Sequence, residues 1–467
     1  MMGRHHTLDE QALQYRHPGH TGEAEIVIGL DFGTSASKVV VQLPGLPGDP
    51  AYAVDFGDAA HPSMRFLLPT RLWVTPGGEC TLCPRSDARL VRDIKLALFA
   101  GCEPPENLHD PCHSGVHPEA VAVAYLALVL RRARTWFLTA KRDIVGHLAR
   151  LNWSVNLGVP SPCIENNAEN RRFRRVGTAA WLVSLRACAV TIEHAMDQLR
   201  PVTTSPEDWA PNAGGPVCDF AIVPEIAAGA IGYAASALRR EGLHLMVDVG
   251  ASTLDICSFV LHGDAGDDRY SLLTADVQRL GTLRLHRERL GAVRQAYDER
   301  AREVSGEYDP LSPVPEDVEP YLLPPERVRA AIRRAEGELG GTCQRMLRRV
   351  ILDLRRRRDP HAAAWRERLP ILLIGGGAES RFFRSLVEDL GGWLTSHVGS
   401  KGVTLLPLEL PSSVSTAQSE QHRLAVAWGL SHQEFNIGEI IPADRVADIP
   451  PRPCRTWEDQ FVSKDQA

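Results

Sequence analysis

The sequence predicts an α/β protein built from two related lobes. Strand-like segments alternate with helical ones along the 467 residues, and this alternation favours α/β over separate all-α or all-β units. A strand–turn–strand pattern with an Asp-x-Gly turn occurs as GLDFGTSASKVV at 29–40 and again as DVGASTLD at 248–255. One such turn is common in ordinary hairpins, but two copies between apolar strands, one in each half of the chain, indicate two lobes that face each other.

Length and composition are those of a globular protein large enough for two lobes or several domains. Hydrophobic residues make up 44% and charged residues 24%. The net charge of −6 gives no reason to expect a nucleic-acid or membrane partner. Residues 1–23 form a polar N-terminal tail without the apolar core of a secretory signal, and the apolar run at 120–130 is too short to span a bilayer. We therefore expect a cytoplasmic location.

Residues 24–240 are predicted to form the first lobe. A hairpin turns at Pro76-Gly77-Gly78, and a helix begins at Pro118. The alanines and glycines of a helix at 225–238 would let another element approach closely. A loop rich in proline is predicted at 201–216. The predicted elements in order are strands at 26–42, the hairpin at 71–84, the helix at 118–138, a strand at 153–159, one or two helices over 167–199, a strand at 220–223 and the helix at 225–238.

Residues 241–432 are predicted to form the second lobe, followed by an extended C-terminal tail at 433–467. The four arginines at 355–358 are predicted to be a solvated helix end, where cations suit the helix dipole, with a partner site as the alternative. The predicted elements in order are strands at 243–249 and 254–261, a loop at 306–325, a helix from 328 to 354, a strand at 370–374 and a helix at 424–430.

The first turn has the residues of an anion site. Gly33 has no side chain, so its N–H group can approach a ligand closely, and Thr34 and Ser35 add hydroxyl donors. Asp31 in the same turn would repel a bare phosphate. With Mg²⁺ present the negative charge of Asp31 favours phosphate binding, because the metal joins carboxylate to phosphate, often through water.

Two further turns repeat or extend this chemistry. DVGASTLD offers Asp248, Gly250, Ser252 and Thr253 in nearly the same order. In ILLIGGGAESRFF a buried strand runs into the glycines at 375–377 and then into a helix N-terminus, which favours negative charge and would let a nucleoside lie against the backbone. Neither a P-loop nor a G-x-G-x-x-G after the first strand is present, which excludes two rival phosphate sites.

Two phosphate turns followed by an adenosine turn resemble the order of the actin-like ATPase superfamily. The chain looks most like the nucleotide-binding domain of the heat-shock protein 70 (DnaK-like) family, and closest to its divergent short relatives. The resemblance covers roughly residues 25–432 and implies a two-lobed actin-like ATPase fold, with duplicated ribonuclease H-like lobes and a nucleotide cleft between them. It is carried by IGLDFGTSASKVVV, FAIVPEIAAGAIGYA, LMVDVGASTLDIC, LLIGGGAESRFF and AVAWGLS.

The resemblance also implies roles for individual residues. Asp31 and Asp248 would hold the Mg²⁺ shell through water, Lys95 in VRDIKLALF would meet the terminal phosphate of ATP or ADP, and Glu225 would lie near the metal waters. The alternatives are an exposed helical lysine at 95 and turn-capping aspartates at 31 and 248. The implied phosphate-binding residues are Gly33, Thr34, Ser35, Gly250, Ala251, Ser252 and Thr253, and the implied adenosine-binding residues are Gly375, Gly376, Gly377 and Ser380.

Two departures from the family pattern stand out. Glu379 occupies the position where typical chaperones carry an arginine that stacks on adenine, although Arg381 is close in sequence. Residues 433–467 are too few for a peptide-binding domain, so we do not expect a peptide-clamping cycle within this chain.

A zinc site is a separate hypothesis. Cys80 and Cys83 form a C-x-x-C with spacing that zinc accepts, and Cys102 and Cys112 follow. The second pair fits neither a ribbon nor a finger pattern. We therefore prefer a strand with two thiols followed by a polar loop.

The function that we expect is a Mg²⁺-dependent, ATP-hydrolysing conformational switch of the heat-shock protein 70 type, acting in a chaperone-like way on a partner protein. Phosphoryl transfer needs positioning, Mg²⁺ and cations where charge develops, and the predicted residues supply those parts. Closing two lobes over ATP would couple nucleotide state to lobe angle. Three alternatives are a small-molecule kinase, a filament-forming actin-like ATPase and a nucleotide-binding scaffold that does not hydrolyse ATP.

Overall fold

The computed structural model describes residues 21–61, 64–99, 117–148, 150–160, 167–186, 188–200, 219–234, 239–263, 269–296, 326–415, 418–433 and 438–449. Over these residues the chain is α/β, with two six-stranded mixed sheets and one three-stranded sheet. None of the helices in these ranges has the length and apolar character needed to cross a membrane. The predicted loops at 201–216 and 306–325, together with Cys102 and Cys112, lie outside the described residues.

The first large sheet follows the order β3-β2-β1-β8-β9, and β4 pairs with β2. Its antiparallel pairs are β1–β2 and β2–β3, whereas β1–β8 and β8–β9 are parallel. The strands are β1 (Glu23–Phe32), β2 (Ala36–Gln42), β3 (Ala51–Ala53), β4 (Leu68–Pro69), β8 (Arg150–Val159) and β9 (Asp219–Pro224), and the small sheet contains β5 (Leu72–Val74), β6 (Cys80–Thr81) and β7 (Arg89–Val91).

The second large sheet follows the order β14-β13-β10-β11-β12-β15. Its strands are β10 (Gly242–Val249), β11 (Leu254–His262), β12 (Arg269–Gln278), β13 (Leu369–Ile374), β14 (Val403–Leu405) and β15 (Glu439–Ile441). Strands β10–β11 and β11–β12 are antiparallel, whereas β10–β13 and β13–β14 are parallel. The run β12-β11-β10-β13-β14 thus has the order and directions of β3-β2-β1-β8-β9. The predicted repeat of strand, turn and strand is confirmed, and it extends to five strands.

The helices predicted at 118–138 and from 328 to 354 are found within two residues of their predicted limits, whereas the sequence predicts no helix for Arg142–Val145 or Thr282–Ala296. The segment predicted as one or two helices over 167–199 forms two helices. The second is capped at its N-terminus by the Thr191 side chain, which accepts a hydrogen bond from His194 N–H. The last helix begins at Gln418, six residues before the predicted start, since its polar first turns hide it from apolar periodicity. The helices are α1 (Pro118–Ala140), α2 (Arg142–Val145), α3 (Asn167–Ser184), α4 (Ile192–Leu199), α5 (Glu225–Ala234), α6 (Thr282–Ala296), α7 (Glu326–Asp353), α8 (Arg381–Val398) and α9 (Gln418–Leu430).

Helices α5 and α9 pack against each other within a core that includes residues of both large sheets. A methyl group on Gly429 of α9 would lie 1.9 Å from the Ala228 carbonyl oxygen of α5. A methyl group on Gly29 of β1 would lie 2.3 Å from the Ala427 carbonyl oxygen. The close approach predicted for the small residues of α5 is confirmed, and the C-terminal helix is held directly against the strand that leads to the first turn.

Candidate nucleotide cleft

The three turns singled out in the sequence converge on one cleft. The cleft encloses about 850 Å³ of empty space, part of it open to solvent, and both large sheets contribute to its walls. Every implied site residue except Ser252 and Ser380 lines it. Ser252 lies in the second turn, where its carbonyl accepts a hydrogen bond from Gly281 N–H. Ser380 precedes α8 and is buried.

The first turn places Asp31 and Lys38 as direct cross-strand partners at the end of β1 and the start of β2. Lys38 Nζ lies 2.7 Å from Asp31 Oδ2, and Asp31 is only 6% exposed. At Gly33 a Cβ atom would lie 2.2 Å from the Ala36 carbonyl oxygen, so this turn accepts only glycine there. Asp31 is therefore an ion-paired residue that faces the cleft.

The side chains of Thr70 and Tyr125 hydrogen-bond to the first turn and to the start of β2. Thr70 Oγ1 donates to the Gly33 carbonyl at 2.7 Å, and Thr70 N–H donates to the Ser35 carbonyl at 2.9 Å. Tyr125 of α1 donates to Ser37 Oγ at 2.9 Å. The two Thr70 bonds engage carbonyl oxygens of the turn, and the Tyr125 bond holds the Ser37 hydroxyl at the start of β2.

The second turn is tied down in a similar way. Gly250 N–H donates to the Thr253 carbonyl at 2.9 Å. The Gly250 carbonyl accepts from Thr282 N–H at 3.1 Å, and the Ala251 carbonyl accepts from Leu283 N–H at 2.8 Å, both at the start of α6. Backbone bonds therefore set the turn, while Gly250, Ala251 and Thr253 line the cleft.

The third turn packs against the second. Gly375 has a φ of +87°, and a Cβ atom there would lie 2.2 Å from Asp248 Oδ1. Gly377 N–H donates to the Val249 carbonyl at 2.9 Å, and Gly375 N–H donates to the His422 carbonyl at 3.0 Å. The glycines thus let the backbone lie directly on the Asp248 carboxylate.

Lys95 and Glu225 form a second ion pair in the cleft. Lys95 Nζ lies 2.9 Å from Glu225 Oε1, although the two residues are 130 positions apart in sequence. Lys95 is 5% exposed and precedes a short 3₁₀ turn at Leu96–Leu98, so the alternative of an exposed helical lysine is wrong. Glu225 is the first residue of α5, which follows β9 without a break.

The cleft has an excess of carboxylates, and burial raises the pKa of two of them. Burial, followed by the charges of Glu225 and Asp31, raises the pKa of Asp248 to about 7. Burial and the Asp248 charge raise the pKa of Asp255 well above its ordinary value. For Lys95, burial alone would lower the pKa, but the Glu225 and Asp31 charges outweigh it, so the net pKa is raised. A bound cation would relieve this crowding of negative charge.

Magnesium fits this donor set through water. Carboxylate oxygens are the ligands that Mg²⁺ prefers, and the ion commonly keeps several waters and binds substrate phosphates. Over the described part of the chain, no group of three or more His, Cys, Asp or Glu side chains is arranged to hold a metal ion. Asp31 and Glu225 each already pair with a lysine. Asp31 and Asp248 could thus hold a hydrated Mg²⁺ jointly with bound phosphates.

The zinc hypothesis receives no support from Cys80 and Cys83. Both are free thiols at the end of the predicted hairpin, and Cys80 is buried. Burial raises the pKa of Cys80 to about 12 and also raises the pKa of Cys83. These thiols are therefore protonated at neutral pH in the metal-free chain.

Five further polar or charged residues line the cleft that were not singled out in the sequence. The pairing of Lys38 and Asp255 with the two turn aspartates could have been found by counting residues across each hairpin. The positions of His422 and Arg423 could not, because α9 lacks an apolar pattern over its first turns. His422 Nε2 lies 3.0 Å from Glu379 Oε1, and Arg423 donates to the Gly376 carbonyl. The five are Lys38, Asp255, Thr282, His422 and Arg423.

Comparison of the chain with protein-family models and with curated proteins found no match. The assignment of a function therefore depends on the repeated sheet topology and on the chemistry of the cleft.

Proposed function

We propose that the chain binds and hydrolyses Mg-ATP between two lobes of an actin-like fold and acts as a nucleotide-driven switch. The observation that carries the proposal is the meeting of three turns in one cleft. Two of them follow equivalent first strands of two sheets with the same five-strand order. The third places a glycine backbone against the second aspartate.

The repeated topology supports two related lobes. Strand β1 pairs antiparallel with β2 and parallel with β8, and β10 pairs in the same way with β11 and β13. Asp31 and Asp248 lie near the ends of these two first strands and both line the cleft, so in this proposal each sheet contributes one aspartate to the Mg-ATP site. This arrangement agrees with the ribonuclease H-like duplication implied by the resemblance to heat-shock protein 70.

The walls of the cleft suit a nucleoside triphosphate. Thr34 and Ser35 offer hydroxyl and N–H donors from the first turn, and Ala251 and Thr253 offer donors from the second, where the Gly250 N–H is already bonded to the Thr253 carbonyl. Glu379 pairs with His422 and with Arg384, the latter at 3.2 Å, whereas Arg423 donates to the Gly376 carbonyl of the adenosine turn.

In this proposal Mg²⁺, Lys95 and Asp248 each have a separate role in hydrolysis. Bound Mg²⁺ supplies charge neutralisation for the phosphates. Lys95 leaves Glu225 in part to place its ammonium group at the terminal phosphate. Asp248, whose pKa is about 7 in the metal-free chain, orients a water molecule and accepts its proton. The water oxygen forms a bond to the terminal phosphorus as the bond to the bridging oxygen breaks, and ADP and phosphate leave.

Movement of the lobes is the proposed output. Helices α5 and α9 pack between residues of both sheets, so a change in nucleotide contacts at the two turns can alter the angle between them. The chaperone-like action on a partner protein depends on the resemblance alone.

The test is phosphate release from ATP with Mg²⁺, with light scattering recorded in parallel. The chain should release phosphate, Asp248→Ala should abolish release, and Asp143→Ala, on exposed α2, should leave it unchanged. Tight ATP binding without release would contradict hydrolysis and favour the scaffold. Scattering that depends on ATP would favour a filament, and turnover only with an added sugar or acid would favour a kinase.

A further inference from the structure

A second cavity, which shares no residue with the cleft, has a basic lining. It encloses about 1230 Å³ of empty space that is broadly open to solvent. All the ionisable side chains of its lining are arginine or histidine. We call this lining the basic basin; it consists of Leu352, Arg355, Arg356, Pro360, His361, Arg366 and His397.

The basic basin forms where two helices end. Helix α7 stops at Asp353, and the chain continues as a wider π-helical turn, Leu354–Arg358. His397 lies in the last turn of α8, where its ring stacks on Trp393 at a centroid distance of 5.5 Å. The negative ends of both helix dipoles favour cations here. The helix dipoles therefore offset part of the repulsion among the clustered basic side chains.

The arginines of the basic basin have no anionic partner among the residues that the structure describes. The side chains of Arg355, Arg356 and Arg366 make no ion pair and no hydrogen bond within that part of the chain. Their neighbours Arg357 and Arg358, by contrast, both bind Asp448. The arginine run is therefore divided into a half that is neutralised by this chain and a half that is not.

The neutralised half shows which kind of ligand this surface accepts. Asp448 follows the short 3₁₀ turn Ala443–Arg445 and lies in a segment without helix or strand. Its Oδ1 lies 2.7 Å from Arg358 NH1, and its Oδ2 lies 3.1 Å from Arg357 NH2. The next residue, Ile449, donates its N–H to the Arg357 carbonyl at 2.9 Å. A non-helical acidic segment is thus bound by carboxylate and main-chain contacts together.

We propose that the basic basin binds an extended acidic segment of a partner protein, whose carboxylates pair with Arg355, Arg356 and Arg366. The planar guanidinium group matches a carboxylate with two parallel hydrogen bonds. The net charge of −6 repels a polyanion from the molecule as a whole, so binding depends on this local cluster. The site requires no nucleotide, and its test is independent of the proposed ATPase activity.

The test measures the binding of fluorescein-labelled hexaglutamate to the full chain by fluorescence anisotropy in about 50 mM salt, where exposed ion pairs are only partly screened. The double variant Arg355→Ala/Arg356→Ala should bind about fivefold more weakly, since two exposed pairs are lost. The control Arg142→Ala/Arg334→Ala removes the same charge at two exposed positions and should change affinity less than about twofold.

Three results would overturn the proposal. The first is a wild-type chain that does not bind the peptide. The second is an equal loss in the two double variants, which would mean general electrostatic attraction. The third is tighter binding of a labelled single-stranded DNA of equal charge that is lost in the same basin variant, because the partner would then be a nucleic acid. Circular dichroism of each variant separates loss of binding from loss of folding.

Discussion

Lys38 pairs with Asp31 directly across the first hairpin, with Nζ 2.7 Å from Oδ2, whereas the equivalent position of the second hairpin places Asp255 opposite Asp248. The two turns therefore differ in charge despite their shared topology. The first contributes a balanced pair to the cleft, and the second contributes two carboxylates. This asymmetry determines which variants should affect binding, turnover and stability.

Removing the Lys38 charge should weaken nucleotide binding. In Lys38→Met, Asp31 loses its partner and the phosphates lose a cation that lines the cleft, so the Kd for Mg-ATP should rise about tenfold. Isothermal titration calorimetry measures this change. Lys401→Met, in an exposed pair with Glu367, is the control. An unchanged Kd in Lys38→Met would mean that Lys38 supports only the hairpin.

The rate of hydrolysis should depend on the protonation of Asp248. Its pKa of about 7 means that the carboxylate form, which accepts the proton from water, is lost as the pH falls through 7. The logarithm of kcat/KM should rise with a slope of about one below pH 7 and level off above it. A profile that is flat from pH 5 to about 9 would contradict the role of Asp248 as the base.

Asp248 should also make the nucleotide-free fold less stable as the pH rises. Its folded-state pKa of about 7 lies above the ordinary 3.8, so between these values the folded chain holds a proton that the unfolded chain has released. The free energy of unfolding therefore falls over this window, by up to about 4 kcal/mol from this group. Urea unfolding should show Asp248→Asn to be more stable than wild type at pH 8 and similar at pH 4. Equal pH slopes in the two proteins would show that Asp248 does not contribute.

Removing one partner of the Lys95–Glu225 ion pair should destabilise the fold more than removing both charges. Lys95→Met leaves the nearly buried Glu225 carboxylate without its partner, and such a loss typically lowers the free energy of unfolding by about 3–5 kcal/mol. The double variant Lys95→Met/Glu225→Gln should recover a large part of that loss, because no unpaired charge remains. A double-mutant cycle in urea measures the coupling. Additive effects of the two changes would contradict a direct interaction.

Close packing of α9 on α5 should make Gly429 intolerant of any side chain. Gly429→Ala places a methyl group 1.9 Å from the Ala228 carbonyl oxygen, and we expect a loss of about 1–3 kcal/mol or more. The matched control is Gly392→Ala on α8, where a Cβ atom meets nothing within 4 Å. That change should stabilise the chain by about 0.5–1 kcal/mol. Thermal unfolding of both variants measures these two changes in stability.

The sequence predicts local features well because they depend on neighbouring residues. The two Asp-x-Gly turns and the glycines at 375–377 are short motifs, and all three line the cleft. Helix α1 carries its own start signal in Pro118 and is found nearly at its predicted limits.

Long-range relationships escape the sequence because no local pattern encodes them. The partner of Lys95 lies 130 residues away, and His422 and Arg423 enter the cleft on a helix whose first turns are polar. The arginine run was predicted as a solvated helix end, yet half of it binds Asp448, about 90 residues later in the chain. The tertiary fold alone brings these groups together.

The central claim is that one Mg-ATP lies between the two turns, and calorimetric titration of the chain with ATP tests it most directly. With Mg²⁺ present, the titration should show one ATP per chain, and binding should weaken strongly both in EDTA and in Gly33→Val or Gly250→Val, one variant for each turn. The claim is contradicted if ATP does not bind, or if it binds with the same affinity after either turn has been altered.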